Sequence, residues 1–152
     1  MVRYITQSDL RDAGLLEPIL TQARTEYASE CCGLIVESTE GALVQVPCEN
    51  LQDTMHAQDP ETFTRTSTTA YFIDPSLIRE HADQIRCIYH SHPDHGAYFS
   101  DEDQMAAAPF GEPSFPGVGY LVISVNKGEV ADSVMFVWSD AEEAFVNAEP
   151  DA

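Results

Sequence analysis

Positive charge is nearly absent from this chain. Its 152 residues carry 7 Lys and Arg against 26 Asp and Glu, a formal net charge of −19 at pH 7, and Lys127 is its one lysine. A folded surface this negative repels phosphate backbones and anionic headgroups, so nucleic acid and membranes are poor partners for it. Long apolar runs are missing as well. No stretch approaches the roughly 20 apolar residues needed to span a bilayer, and the start, MVRYITQSDL, lacks the apolar core of a signal peptide. Cysteine is sparse: Cys31, Cys32, Cys48 and Cys87 form no CxxC and no framework spacing. They read as reduced thiols in a cytoplasmic protein. The charge excess does not imply disorder, because CGLIV, ALVQV, YLVISV and SVMFVW are strong apolar runs. With 43% hydrophobic residues the chain is long enough for one core and too short for two comfortable ones.

The pattern of elements is mixed. Ser8 stands where a helix N-cap would, with Asp9 and Asp12 after it, and apolar residues from Leu10 to Tyr27 fall at helical spacing. Gly14 and Pro18 can split that helix in two. Cys32–Glu37 and Ala42–Pro47 read as a β-hairpin. Residues 50–68 are polar, without period, and long for a connection, which marks a functional or mobile loop. Thr69–Ile73 has strand composition, and Asp74-Pro75 opens a helix running to about Gln84. Arg86–His92 is a strand, Ser100–Ala108 a short helix and 109–119 a loop. Tyr120–Val125 and Ser133–Trp138 are strands around the turn Asn126-Lys127-Gly128. The expectation is one α/β domain over residues 1–147, with a mixed sheet of about six strands flanked by two or three helices. Residues 148–152 would be a flexible tail.

Chemistry concentrates in Ile88-Tyr89-His90-Ser91-His92-Pro93 and the following Ser100-Asp101-Glu102-Asp103. On a strand, His90 and His92 share a face. Two imidazoles there can bind one Zn²⁺, and Pro93 would end the ladder next to a loop. Asp103, in the first turn of the next helix, is placed to give a third, carboxylate ligand. Two His and one Asp leave a fourth position for water, as in catalytic rather than structural zinc sites. Each piece alone also has a plainer reading: two polar side chains at a strand end, and a capping box between Ser100 and Asp103. The capping box and the ligand role are compatible, because a capped helix start fixes where Asp103 points.

His90-Ser91-His92-Pro93, six residues, then Ser100-x-x-Asp103 resembles the signature of the JAMM (MPN⁺) zinc metallopeptidases. Glu30-Cys31-Cys32-Gly33 is similar to that family's upstream E-x-C-G segment, and the likeness extends over about residues 8–140. No inserted arm of the eukaryotic deubiquitinating kind is visible. The resemblance implies the JAMM/MPN fold, which is itself cytidine-deaminase-like, and one zinc ion per chain held by His90, His92 and Asp103. It also implies that Glu30 is the general acid/base, taking a proton from the zinc-bound water and passing it to the leaving amine, and that Ser100 stabilises the oxyanion. The implied substrate is a peptide or isopeptide bond at the C-terminus of a ubiquitin-like β-grasp protein, or an amino acid attached to a sulfur-carrier protein.

Two other classes stand beside that one. A non-catalytic MPN scaffold would lack part of the ligand set, and here the set is complete. A nucleobase deaminase would need H-x-E and P-C-x-x-C, and neither occurs. His95 either borders the site or is a solvated loop residue, and His56 and His81 have no assigned role. Cys31 and Cys32 read as small buried residues, and Trp138 as core. The segment Phe110–Phe115 either lines a substrate channel or packs its own loop. Asp94, Asp101 and Glu102 form an acidic rim that would steer a basic substrate tail, although solubility or a saline habitat explains most of the charge.

Overall fold

The structure, a computed structural model, describes residues 3–149. A capping box opens the chain, but at Thr6 rather than Ser8. The Thr6 hydroxyl accepts from Asp9 N–H, the Asp9 carboxylate accepts from Thr6 N–H, and Ser8 falls inside the first turn. Helix α1 (Gln7–Asp12) stops at Gly14, whose φ of +74° only glycine adopts without strain. Helix α2 (Leu16–Glu26) then starts with Pro18 in its first turn, where a missing N–H costs no helical bond. The apolar stripes of both helices, centred on Leu10, Ile19 and Ala23, are buried on one face of the sheet.

Strands β1 (Cys32–Glu37) and β2 (Leu43–Cys48) form the expected antiparallel hairpin. They are followed by α3 (Gln52–Gln58), α4 (Pro75–His81, capped by Asp74), β3 (Ile85–Pro93) and α5 (Asp101–Ala107). The chain closes with β4 (Gly119–Asn126), β5 (Glu129–Ser139) and β6 (Ala144–Asn147). One six-stranded sheet in the order β2-β1-β3-β4-β5-β6 takes in every described strand, and only β3 and β4 are parallel. Its second face carries Leu34, Ile88, Val122 and Phe136 and is covered by Leu77 and Ile78 of α4, Ala107 of α5 and the loop residues Phe99 and Phe115. Among the described residues no helix is long and apolar enough to cross a membrane.

Three expectations are corrected. Thr69–Ile73 is not a strand. Leu51 N–H donates to the Phe72 carbonyl at 2.9 Å and Phe72 N–H to Asn50 Oδ1 at 3.1 Å, so its backbone bonds run to the segment before α3 instead of to a sheet edge. The sixth strand is β6, which four residues are too few to announce by alternation. The polar stretch 50–68 contains α3, and five short helices flank the sheet where two or three were expected. Of the tail, Ala148 N–H donates to the Met135 carbonyl at 2.8 Å, and residues 150–152 lie outside the described ones.

Strand β3 alternates as a strand buried on both faces must. Cys87 and Tyr89 point to the α1/α2 side, Ile88 and His90 to the other. Gly33 in β1 sits opposite Tyr89, whose ring lies across it. A Cβ at Gly33 would stand 2.1 Å from the Tyr89 hydroxyl oxygen, which is itself held by Gln22 and Gln45. Gly33→Ala is therefore expected to cost about 1–3 kcal/mol through overpacking. In a Tyr89→Ala background the same change should cost far less, which a double-mutant cycle by denaturant unfolding measures.

Candidate metal centre

Strand β3 delivers the two histidines. Both point to the face opposite α1 and α2, and His90 is wholly buried while His92 is 6% exposed. His92 Nδ1 lies 2.9 Å from the Gly96 carbonyl and donates to it, which leaves the lone pair on Nε2. His90 is oriented by stacking on Tyr71, ring centroids 4.5 Å apart and planes 23° off parallel. Its Nδ1 is buried and has no partner among the described residues.

The third donor comes from α5. Ser100 and Asp103 do form a capping box: Asp103 N–H donates to Ser100 Oγ at 3.0 Å and Ser100 N–H to Asp103 Oδ2 at 3.1 Å. That same Oδ2 lies 3.2 Å from His90 Nε2 and 3.3 Å from His92 Nε2, and the two Nε2 atoms are 3.2 Å apart. Burial alone would raise the Asp103 pKa. The neighbouring imidazoles and the Ser100 N–H outweigh it and hold the carboxylate well below its usual range. For His92, burial disfavours the charged form, but hydrogen bonds to Asp103 and Gly96 carry its pKa upward.

These distances test whether zinc fits. Donors about 2.0–2.1 Å from a tetrahedral ion lie about 3.3–3.4 Å from one another. Two imidazole nitrogens and one carboxylate oxygen meet that edge length, and this donor set suits Zn²⁺. The three residues fit the ion.

Glu30 precedes β1. Cys32 pairs with His90, and Ser91 N–H donates to the Cys31 carbonyl, so continuing the register sets Glu30 opposite His92. Its backbone is clamped, N–H to the Ser67 carbonyl at 2.7 Å and C=O accepting from Asn50 Nδ2 at 2.9 Å. Among the described residues no hydrogen bond reaches its carboxylate, and the residue as a whole is 5% exposed. Burial pushes its pKa up to about 7, against a smaller opposing pull from His90 and His92.

Asn50 went unnoticed in the sequence. Besides Glu30, its Nδ2 donates to the Ala70 carbonyl at 3.1 Å, and its Oδ1 accepts from Gln52 N–H at 3.0 Å and Phe72 N–H at 3.1 Å. Asp53 accepts from both the N–H and the hydroxyl of Ser67, at 2.7 Å each. Such links run from side chain to backbone over 14 to 22 residues and leave no periodic signal.

A cleft of about 360 Å³ opens onto Glu30, His92, Ser100 and Asp103. His95 lines it and is exposed, with Nδ1 2.7 Å from the Pro93 carbonyl. Of the aromatic segment, Phe115 lines the cleft, whereas Phe110 is 93% exposed. Cys31, Cys32, Cys48 and Cys87 are free and buried, and burial raises every thiol pKa. Trp138 packs on Phe145 at 5.3 Å, as core. The acidic rim is weaker than its composition suggests. Asp94 accepts from the Tyr27 hydroxyl at 2.6 Å and Lys127 N–H at 2.8 Å, and Glu102 pairs with Arg65.

The family described as prokaryotic homologs of the JAB domain matches residues 12–139. A solution structure of a protein from Salinibacter ruber (strain DSM 13855) is similar over 99% of this chain and 94% of its own, with a TM-score of 0.51 and 18% identity. That likeness speaks for the fold alone. No curated protein matches the chain.

Two outcomes follow from this geometry. Asn50→Ala leaves four backbone groups without their partner and is expected to lower stability by roughly 2–4 kcal/mol in thermal unfolding. In the metal-free protein, folded Glu30 keeps its proton up to about 7, while the unfolded chain loses it near 4.5. The folded state binds the extra proton, so stability falls as pH rises through that window, by roughly 3 kcal/mol. Glu30→Gln should match wild type near about pH 5 and exceed it near about pH 8 in denaturant midpoints. An unchanged slope in the variant would show that Glu30 ionises without cost.

Proposed function

Because the chain belongs to the family of prokaryotic homologs of the JAB domain, we propose that it is a cytoplasmic zinc-dependent metallopeptidase. It hydrolyses a peptide or isopeptide bond at the C-terminal tail of a ubiquitin-like or sulfur-carrier β-grasp protein. One observation carries the hydrolase reading: three zinc-spaced donor atoms, of His90, His92 and Asp103, converge beside a cleft that His92, Asp103 and the buried Glu30 line. The β-grasp substrate rests on the resemblance of the H-x-H-P and S-x-x-D motif.

His90, His92 and Asp103 would hold the zinc, which when bound would supply a Lewis acid toward the scissile carbonyl and a nucleophile at neutral pH. The chain's own groups do the rest. Glu30, with no donor occupying its carboxylate, takes a proton from the attacking water and returns it to the leaving nitrogen. Burial raises its pKa in the metal-free protein, and proton transfer is most efficient when that value lies near the working pH. Ser100 Oγ accepts from Asp103 N–H, so the oxygen is fixed while its own proton remains free to donate to the developing oxyanion. Tyr71 and the buried sheet face exclude water from the far side of His90.

Purified protein should contain one zinc per chain by elemental analysis, and His90→Ala, His92→Ala and Asp103→Ala should each lose it. Glu30→Gln should keep the metal and lose about 10²–10⁴ in kcat on a β-grasp conjugate. Cleavage that survives Glu30→Gln or a zinc chelator would refute the mechanism, and absence of stoichiometric zinc would leave a scaffold.

A further inference from the structure

The cleft is larger than amide hydrolysis requires, and its two halves differ. The polar groups Glu30, His92, Ser100 and Asp103 lie at one end. Ile73, Ile78, Ile88, Ala107, Phe115 and Tyr120 give it an apolar wall, and polar loop residues such as Arg65 and Thr68 complete the lining. Ile88 and Tyr120, on β3 and β4, form its floor on the sheet face, and Ile78 of α4 and Ala107 of α5, which pack on that face, form its sides. The alanines at 106 and 107, in the second half of α5, leave the space open.

The separation of the halves follows from the elements. Asp103 and Ala107 are four residues apart on a helix, about 6 Å along its axis. His90 and Ile88 are two apart on a strand, about 6.6 Å. An apolar pocket centred about 6 Å from the reacting carbon is what the side chain of a neighbouring residue reaches, with consecutive Cα atoms about 3.8 Å apart. A cavity of about 360 Å³ has room for the scissile amide and one large side chain. A glycine there would leave the accessible part of the apolar wall unburied, which disfavours it against a residue with an apolar side chain.

Resting on the hydrolase reading above, we propose that this cleft is a specificity pocket and that the substrate carries a large apolar side chain, of leucine or phenylalanine size, on a residue adjoining the scissile bond. Ala107, Ile88 and Phe115 set its depth.

Peptides differing at one residue on either side of the cleaved bond test this with zinc-loaded full-length protein. At one of the two positions Leu or Phe should exceed Gly by about 10–100-fold in kcat/KM. Ala107→Leu, which fills the pocket, should collapse that ratio. Ile88→Ala, which deepens it, should shift the preference from Leu to Phe or Trp and guards against a misfolded first variant. A binding arm does not need turnover: N-acetylleucinamide should shift NMR resonances of Ile88 and Ala107 at concentrations where N-acetylglycinamide does not. Equal kcat/KM for Gly and Leu at both positions overturns the pocket and leaves the peptidase standing. No hydrolysis of any peptide, with selective binding of the leucine amide, overturns the peptidase and keeps the pocket. Equal binding of the two amides without hydrolysis overturns both.

Discussion

The pairing of β3 on both of its edges is the interaction on which the site depends. Antiparallel to β1 and parallel to β4, this strand is buried on both faces, and its end carries His90 and His92 into a water-poor region. The two partners supply different things. β1, extended backwards in register, brings Glu30 opposite His92. β4, being parallel, cannot be reached by a tight turn and requires a crossover of a dozen residues or more. The connection 94–118 meets that requirement, and α5 within it carries Ser100 and Asp103 back to the end of β3. A mixed sheet thus gathers five candidate side chains from three separate segments.

The legible and illegible parts of this arrangement divide on physical grounds. The histidine pair was readable because a strand's two-residue period is local, and the aspartate because a capping box fixes a helix start within four residues. The capping box and the approach of Asp103 to the histidines share one atom: the oxygen that accepts from Ser100 N–H is the one that faces both imidazoles. Residues 50–73 were illegible for the opposite reason. Their order comes from Asn50, Gln52 and Asp53 bonding to distant backbone, so Thr69–Ile73 kept its strand composition while its hydrogen bonds went elsewhere. The glycine opposite Tyr89 is similar, since only the cross-strand register shows why a side chain there has no room.

The charge of the chain takes on a different meaning at the site. Of the acids near the histidines, Asp94 shapes the turn after β3 and Glu102 is matched by Arg65, both residues of that pair lining the cleft. An exposed pair of this kind contributes little to stability. The field that remains local comes from Glu30 and Asp103, and a dication held by His90, His92 and Asp103 would offset it. Most of the −19 therefore lies away from the chemistry, where it serves solubility more than steering.

Burial of Glu30 is the feature that would separate a hydrolase from a scaffold. A glutamate that is 5% exposed as a residue, with no donor on its oxygens and a second carboxylate nearby, works against the metal-free folded state at neutral pH. A fold that used this end of the sheet only for assembly would gain by a neutral or apolar side chain there. The burden makes physical sense when a cation shares the cavity and a proton must be held and released near pH 7. Buried groups that work against stability and face a cleft are where function is expected. Here that group faces three converged donor atoms, and the same cleft continues into an apolar chamber with room for a side chain.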